Sequence, residues 1–284
     1  MKVLKLILGV LLSALVLAGI FAFAMIGKGG SAFEQTYSME YDDAMVPSDS
    51  RSLQLGKFIA ESHGCQGCHG KDFEGLIFAD APPFLAVGTN LTSGAGGIGS
   101  TYSDADWLRS IRHGVAPDGR GLMIMPSEAY YYLNDQEAGA LVAYLKSLDP
   151  VDNELPPFEL RPLGKLIMGV SDDMSTAPNH MRDATRIEAE RGVTAEWGEY
   201  RSTVMCQVCH GGDMQCGQPP DPESMMAPDM RVVKSWGLDA FLEFFEDGTN
   251  PSGVVSSAQF MPWDKFSYLG EDELTAIYMY LETL

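Results

Sequence analysis

The longest apolar run of the chain, Leu6 to Ile26, holds 21 consecutive positions without a charge and with one hydroxyl, Ser13. At about 1.5 Å per residue a helix of this length covers roughly 31 Å, the hydrocarbon thickness of a bilayer. The run is longer than the ~7–15-residue apolar core of a cleaved leader, so residues 1–27 are expected to form a retained single-pass anchor. Lys2 and Lys5 precede the run, whereas Lys28 after it is followed by Glu34, Glu40, Asp42 and Asp43. That asymmetry leaves the N-terminus in the cytoplasm and all that follows on the outer, periplasmic side of a bacterial cytoplasmic membrane. Residues 28–50, rich in Gly, Ser and acids and without periodicity, read as a tether.

Beyond the tether the apolar positions follow a 3.6-residue period twice, in the same register. Counted from Met125 and from Met261, each followed by Pro, a Tyr-Leu pair recurs at +7 and +8 as Tyr132-Leu133 and Tyr268-Leu269. Apolar residues recur at +13, +16, +20 and +23: Ala138, Leu141, Leu145 and Leu148 against Leu274, Ile277, Leu281 and Leu284. One face repeated in this way predicts a closing helix at the end of each half. Asn134 with Glu137 predicts a capping box on the first, and Glu271, Asp272 and Glu273 load acid into the first turn of the second. A middle helix repeats as well: Ser103 as cap, Trp107, Leu108 and Ile111 as apolar face and Gly114 as terminator, with Phe241, Leu242, Phe245 and Gly248 at matching spacing. Ahead of these lie short helical candidates carrying Gly56 and Phe58, or Gly198 and Tyr200. The pattern predicts an all-α protein with domains at 51–149 and 197–284. The linker, 150–196, contains Pro150, Pro156, Pro157 and Pro162 and a short apolar piece from Leu163 to Met168, and is expected to pack across both domains.

Between the early and middle helices each half carries Cys-x-x-Cys-His: Cys65, Cys68 and His69, then Cys206, Cys209 and His210. In this pattern the thiols form thioethers to the vinyl groups of a haem and the imidazole reaches its iron. A zinc site would require two further ligands at suitable spacing, and a redox dithiol carries no obligate following His. The expectation is therefore two haem c groups, both covalently attached. The fifth cysteine, Cys216, is read as a small buried hydrophobe, and His180 in the linker as an ordinary polar contact.

Helix, haem motif, loop, middle helix, Met-Pro loop and closing helix is an order that resembles the class I cytochromes c, here in tandem. The run Arg112-His113-Gly114-Val115-Ala116-Pro117-Asp118-Gly119-Arg120 with the Met-Pro loop resembles the cytochrome subunits of membrane-bound alcohol and gluconate dehydrogenases. Those subunits typically carry three haem motifs, whereas this chain has two. The resemblance implies Met125 and Met261, 56 and 51 residues beyond their histidines, as sixth ligands of the two irons. Met123 and Met230 are the alternatives, and His113 is a further competitor at the first iron. Near the Met loops, Trp107, Tyr131, Tyr132, Trp263 and Tyr268 are candidates to line haem pockets or to serve as plain core, and Arg109, Arg112 and Arg120 are candidates to neutralise haem propionates or exposed arginines without that task.

Composition narrows the partners. The net charge of −20 argues against nucleic acid and fits a basic redox partner or plain solubility. The function expected is single-electron transfer between redox proteins on the outer face of a membrane: a quinol-oxidising complex, a dehydrogenase, an oxidase or a small carrier. An electron-transfer protein needs no catalytic residue. The alternatives are a dihaem enzyme of the peroxidase or thiosulfate-oxidising kind, marked by an open or Cys-ligated iron, and a fixed haem subunit of a dehydrogenase or respiratory complex.

Overall fold

The computed structural model describes residues 2–38, 44–171, 175–180, 186–217, 225–266 and 269–284. The apolar run folds as α1 (Lys2–Phe33), the one helix among the described residues long and apolar enough to cross a membrane. It does not stop at the end of the expected anchor but continues through Phe33. The chain then passes to α2 (Ser50–Ser62), the one-turn α3 (Gln66–His69), strands β1 (Leu76–Ala81) and β2 (Phe84–Gly88), α4 (Asp104–His113), the short α5 (Ser127–Tyr130) and α6 (Asp135–Lys146). Strand β3 (Glu159–Leu160), α7 (Pro162–Val170) and α8 (Ala177–His180) follow. The second half runs α9 (Ala195–Met205), α10 (Gln207–His210), a 3₁₀ segment Met230–Ser235, α11 (Leu238–Asp247), α12 (Trp263–Phe266) and α13 (Gly270–Thr283). Each expected early, middle and closing helix is present, and the protein is mostly helical. The antiparallel sheet β1-β2-β3 adds strands that the 3.6-residue pattern did not contain.

The chain gathers into two units. The first holds residues 1–41, 68–125 and 149–182. In it, what reads as a tether is partly docked: the Tyr37 N–H donates to the Gly119 carbonyl at 2.8 Å, and its hydroxyl lies 2.8 Å from the Thr176 hydroxyl. The capping of α4 follows the sequence closely. Ser103 and Asp106 close a capping box, and Gly114 ends the helix with φ of 63°, a left-handed conformation that a glycine adopts without a Cβ penalty.

The second unit holds residues 42–67, 126–148 and 183–284, and its frame is two crossed pairs, α2 on α6 and α9 on α13. Both crossings need a glycine. A Cβ on Gly56 would collide with the Ala140 carbonyl, and one on Gly198 with the Ala276 carbonyl. These are the glycines that the early helices share in sequence, and any side chain there would force the paired backbones apart. The surrounding apolar face, with Ile59, Leu141 and Leu145 on one pair and Val204, Ile277 and Leu281 on the other, is buried.

The N-terminus of α6 departs from the expected capping box. The Asn134 side chain does accept from the Glu137 N–H at 2.9 Å, but the Glu137 carboxylate does not turn back to the cap. It is buried, paired with Arg201 at 2.5 Å and accepting a hydrogen bond from the Tyr200 hydroxyl, while Tyr200 in turn accepts from the Asn134 N–H at 2.9 Å. Glu273 of α13, twelve residues past its Met-Pro just as Glu137 is, binds the same Arg201 and also Arg191 at 2.8 Å. Burial and the adjoining Glu137 charge raise the Tyr200 phenol above its ordinary range, so it stays a donor. The Arg201 guanidinium lies over the Trp197 ring at 4.9 Å.

This cluster generates a stability prediction. Arg201→Met leaves the buried Glu137 carboxylate without its cation and Glu273 with only the exposed Arg191, a loss of roughly 3–5 kcal/mol. Replacing Glu137, Arg201 and Glu273 together by apolar residues of similar size is expected to cost much less. Urea unfolding followed by far-UV circular dichroism compares the two.

Candidate haem sites

Each pentapeptide folds as a single helical turn, α3 or α10, at the end of an early helix. That local structure places the two thiols and the imidazole on neighbouring positions of one turn. In both turns the ring is held from behind by a backbone carbonyl. His69 Nδ1 lies 2.8 Å from the Thr89 carbonyl oxygen, and His210 Nδ1 lies 2.8 Å from that of Pro228. A carbonyl can only accept, so Nδ1 carries the proton and Nε2 is left as the basic atom. Burial pulls both imidazoles below their ordinary pKa, against the hydrogen bond, which favours the charged form. The holding carbonyl comes 20 residues after His69 and 18 after His210. In the first case the β1–β2 hairpin fills the interval, and Gly88 at its end presses on the Cys68 carbonyl.

Burial pushes Cys206 up to about 12 and raises Cys68 and Cys209 as well, whereas dithiol chemistry works through lowered thiol pKa values. Cys216 is exposed, which corrects its reading as a buried hydrophobe. The backbone of its loop is what packs, with the Cys216 carbonyl against Gly211 and Gly217 against the Cys209 carbonyl, and the thiol faces outward.

In the second unit the predicted residues converge. A cleft of about 290 Å³, counting its mouth, is walled by Cys206 and Met261 together with Met205, Met230, Phe245 and Phe266. Met261 is thus brought beside the haem motif, and so is the alternative, Met230. Trp263 turns elsewhere, its indole N–H donating to the Ser256 carbonyl at 3.0 Å. The cleft's aromatic wall is Phe245 and Phe266, of which the repeat pattern had marked only Phe245. Tyr268 and the His180 side chain lie outside the described residues.

In the first unit, Trp107 is buried edge-on against Tyr102 at 5.5 Å, and its indole nitrogen has no hydrogen-bond partner. Arg112 is fully buried, Arg109 is buried and paired with Asp106 at 2.7 Å, and Arg120 is a surface residue beside Asp118. Met123 and Met125 are half-buried on the loop after β-bridge partner Gly121, and His113 is the last residue of α4. The aromatics Tyr131 and Tyr132, in the second unit, pack edge to face at 5.5 Å, and Tyr131 is covered by Arg186.

Sequence reasoning passed over His63, two residues before Cys65. Its Nε2 lies 3.2 Å from the Val204 carbonyl, two residues before Cys206, and its Nδ1 lies 3.0 Å from the Ile59 carbonyl. Tyr130 packs on this ring at 5.6 Å and reaches the Cys65 sulfur at 3.9 Å. Nothing in a lone His between two turns signals such a contact, because it depends on where α9 ends.

These residues fit a covalently held haem. Paired thiols and a carbonyl-oriented imidazole sit on one turn, a sulfur- and ring-lined cleft adjoins the second motif, and a buried indole N–H in the first unit lacks a protein acceptor. A helical protein with such turns has the fold and site chemistry of a c-type cytochrome. Residues 53–149 match the cytochrome c family, and this part of the chain is a cytochrome c domain.

Relatives extend the likeness beyond that domain. The chain is 33% identical over 268 residues to the gluconate 2-dehydrogenase cytochrome c subunit of Pantoea cypripedii, covering 82% of this chain and 59% of that protein. It is 26% identical over 279 residues to the cytochrome c subunit of the quinone alcohol dehydrogenase of Gluconacetobacter polyoxogenes, covering 84% and 57%. It is also 26% identical over 262 residues to one of the subunits of the nicotinate dehydrogenase of Pseudomonas putida, covering 82% and 21%. The chain therefore spans from about a fifth to three fifths of the length of these relatives.

His63 gives a pH prediction. Its unfolded imidazole titrates near 6.5, and burial lowers the folded value to about 4. Above pH 6.5 both states are neutral there and the residue contributes no pH dependence. As pH falls from 6.5 to about 4 only the unfolded chain takes the proton, so stability declines over that window. His63→Gln is expected to make the decline shallower, as read from urea midpoints at a series of pH values.

Proposed function

We propose that the chain carries two covalent haem c groups, in domains spanning 51–149 and 197–284, and passes single electrons between redox proteins at the outer face of a bacterial cytoplasmic membrane, anchored there by α1. The observation that carries this reading is the repeated turn: Cys65, Cys68 and His69, and Cys206, Cys209 and His210, each with the imidazole Nδ1 tied to a carbonyl at 2.8 Å. When bound, a haem supplies a one-electron couple at its iron. The chain's own part is to attach it through the cysteines, to aim the Nε2 atoms of His69 and His210, and to exclude water with apolar walls.

For the sixth positions we assign Met125 and Met261. Met230 shares the cleft with Met261, but it comes two residues after Pro228, whose carbonyl holds the back of the His210 ring. Its segment thus belongs to the histidine side, whereas the opposite ligand must come from across the cleft. Pro262 removes a backbone donor after Met261 and stiffens its loop. A methionine at each sixth position closes the iron to substrates and suits electron transfer, which sets the carrier reading above the peroxidase one.

A second reading is favoured by the comparisons, in which relatives of similar sequence are haem subunits of dehydrogenases. In that case the same two haems act as an internal wire of a membrane complex, and the partner is a dehydrogenase catalytic subunit. Purification in mild detergent separates a free carrier from a subunit that brings its complex with it.

Two experiments test the site. Denatured protein is expected to retain two haems per chain by mass, and Cys65→Ala with Cys68→Ala to remove one; a single haem in the parent protein overturns the dihaem reading. The oxidised protein is expected to show the weak methionine-to-iron band in the far red, with Met125→Ala and Met261→Ala each removing about half of it. Loss of the second half in Met230→Ala but not in Met261→Ala would reverse the assignment there.

A further inference from the structure

We propose that α7 is a second lipid contact of this chain, a short helix whose C-terminal turn dips into the outer leaflet beside α1. The proposal rests on the reading of α1 as a membrane span. Helix α7 has two covered faces and one bare one. On one side Gly164 presses on the Pro83 carbonyl and Met168 is buried. On a second it meets α1 backbone to backbone: a Cβ on Gly29 would collide with the Lys165 carbonyl, and one on Gly169 with the Met25 carbonyl. Glycines at such a crossing let two helices approach closely. The third face carries Leu163, Ile167 and Val170, spaced by four and three, with 44, 36 and 55% of their surface exposed. A bare apolar row on a helix otherwise packed on both flanks is a contact surface.

The register with α1 says what covers that row. Gly29 meets Lys165 and Gly169, and Met25 meets Gly169, so the two helices run antiparallel and Val170 lies level with the end of the uncharged run at Met25 and Ile26. Lys28, the first charge after that run, donates from Nζ to the Gly169 carbonyl at 3.0 Å. A helix end that reaches hydrocarbon must have its free carbonyls satisfied, and here a lysine does so from the membrane boundary. The nine residues of α7 rise about 13 Å, so Val170 and Ile167 reach the edge of the acyl chains while Leu163 stands in the headgroup layer. The row thus continues the lipid-facing surface of α1. Lys165 falls at the level of the phosphates, where its stem can lie on apolar surface and its charge in the polar layer, while Lys28 reaches inward from that level to the Gly169 carbonyl. Two adjacent contacts prevent the first unit from turning freely about its anchor.

The test uses the full chain reconstituted in phosphatidylethanolamine and phosphatidylglycerol vesicles containing a phospholipid with a diazirine on its acyl chain. After irradiation, peptides are mapped by mass spectrometry. Adducts are expected on the α1 peptide and on residues 163–170. In Ile167→Glu with Val170→Glu, changes at exposed positions, the α7 adducts are expected to fall to background while those on α1 and the covalent haem content are unchanged. Adducts on α1 alone in the parent protein overturn the proposal and leave the anchor standing. Adducts on neither overturn both. Protection of α7 that appears only in native membranes, with no lipid adducts in vesicles, overturns it in favour of a partner subunit.

Discussion

An imidazole that is to serve an iron must offer Nε2 and keep Nδ1 occupied, and both halves of this chain meet that demand with a backbone carbonyl. The rest of the architecture follows from having to bring the chain back behind the histidine. The return takes about twenty residues in each half: in the first a hairpin with Gly88 against Cys68 leads to Thr89, and in the second the chain arrives at Pro228. A side chain in place of either carbonyl would have its own rotamers to fix. A carbonyl in a loop anchored at both ends has none, and the ring's orientation is inherited from the backbone.

The second unit shows how a repeat diverges while keeping its frame. Gly56 and Gly198 serve the same crossing, and Glu137 and Glu273 occupy the same position of their closing helices. Yet one arginine answers both glutamates. Arg201 stands three residues after its crossing glycine, where the first half has Ile59, equally buried. A buried ion cluster is weak evidence of stability, because desolvation offsets most of its attraction. Its consequence is directional: two carboxylates that cannot be left alone must both find Arg201, so α6, α9 and α13 are held to one mutual register within the unit. Apolar faces alone tolerate slippage of that register more readily.

Much of this was legible because it is local or periodic. The one-face spacing of Ala138, Leu141 and Leu145, the Ser103 capping box and the Gly114 terminator each act through neighbours a turn or two away. What the sequence did not reveal depends on distant partners. Glu137 satisfies every criterion for the returning half of a capping box, and only the presence of Tyr200 and Arg201 draws it away. The apolar piece around Ile167 reads as linker until α1 is seen lying against it, and the β1–β2 strands are too short and too irregular, with a register shift between Ile77 and Ala79, to leave a clean alternation. His63 has no pattern at all. Met230 and Met261 were both in view, but their placement on one cleft is a tertiary fact.

The same comparison between halves shows where the two sites differ. Aligned on their terminal glycines, α4 and α11 are equivalent helices, and Trp107 and Ile111 correspond to Phe241 and Phe245, all buried. The charged positions do not correspond. Where α4 places Arg109, Arg112 and His113, α11 has Glu243, Glu246 and Asp247, so the apolar face that builds the fold is kept while the sign of the charge is inverted. Burial differs too, since Arg109 and Arg112 are inside and the three acids of α11 are exposed. A charge screened by solvent acts weakly over distance, whereas one taken out of water acts strongly on whatever adjoins it. The apolar face of the middle helix is thus kept in both halves, while the charges beside it are of opposite sign.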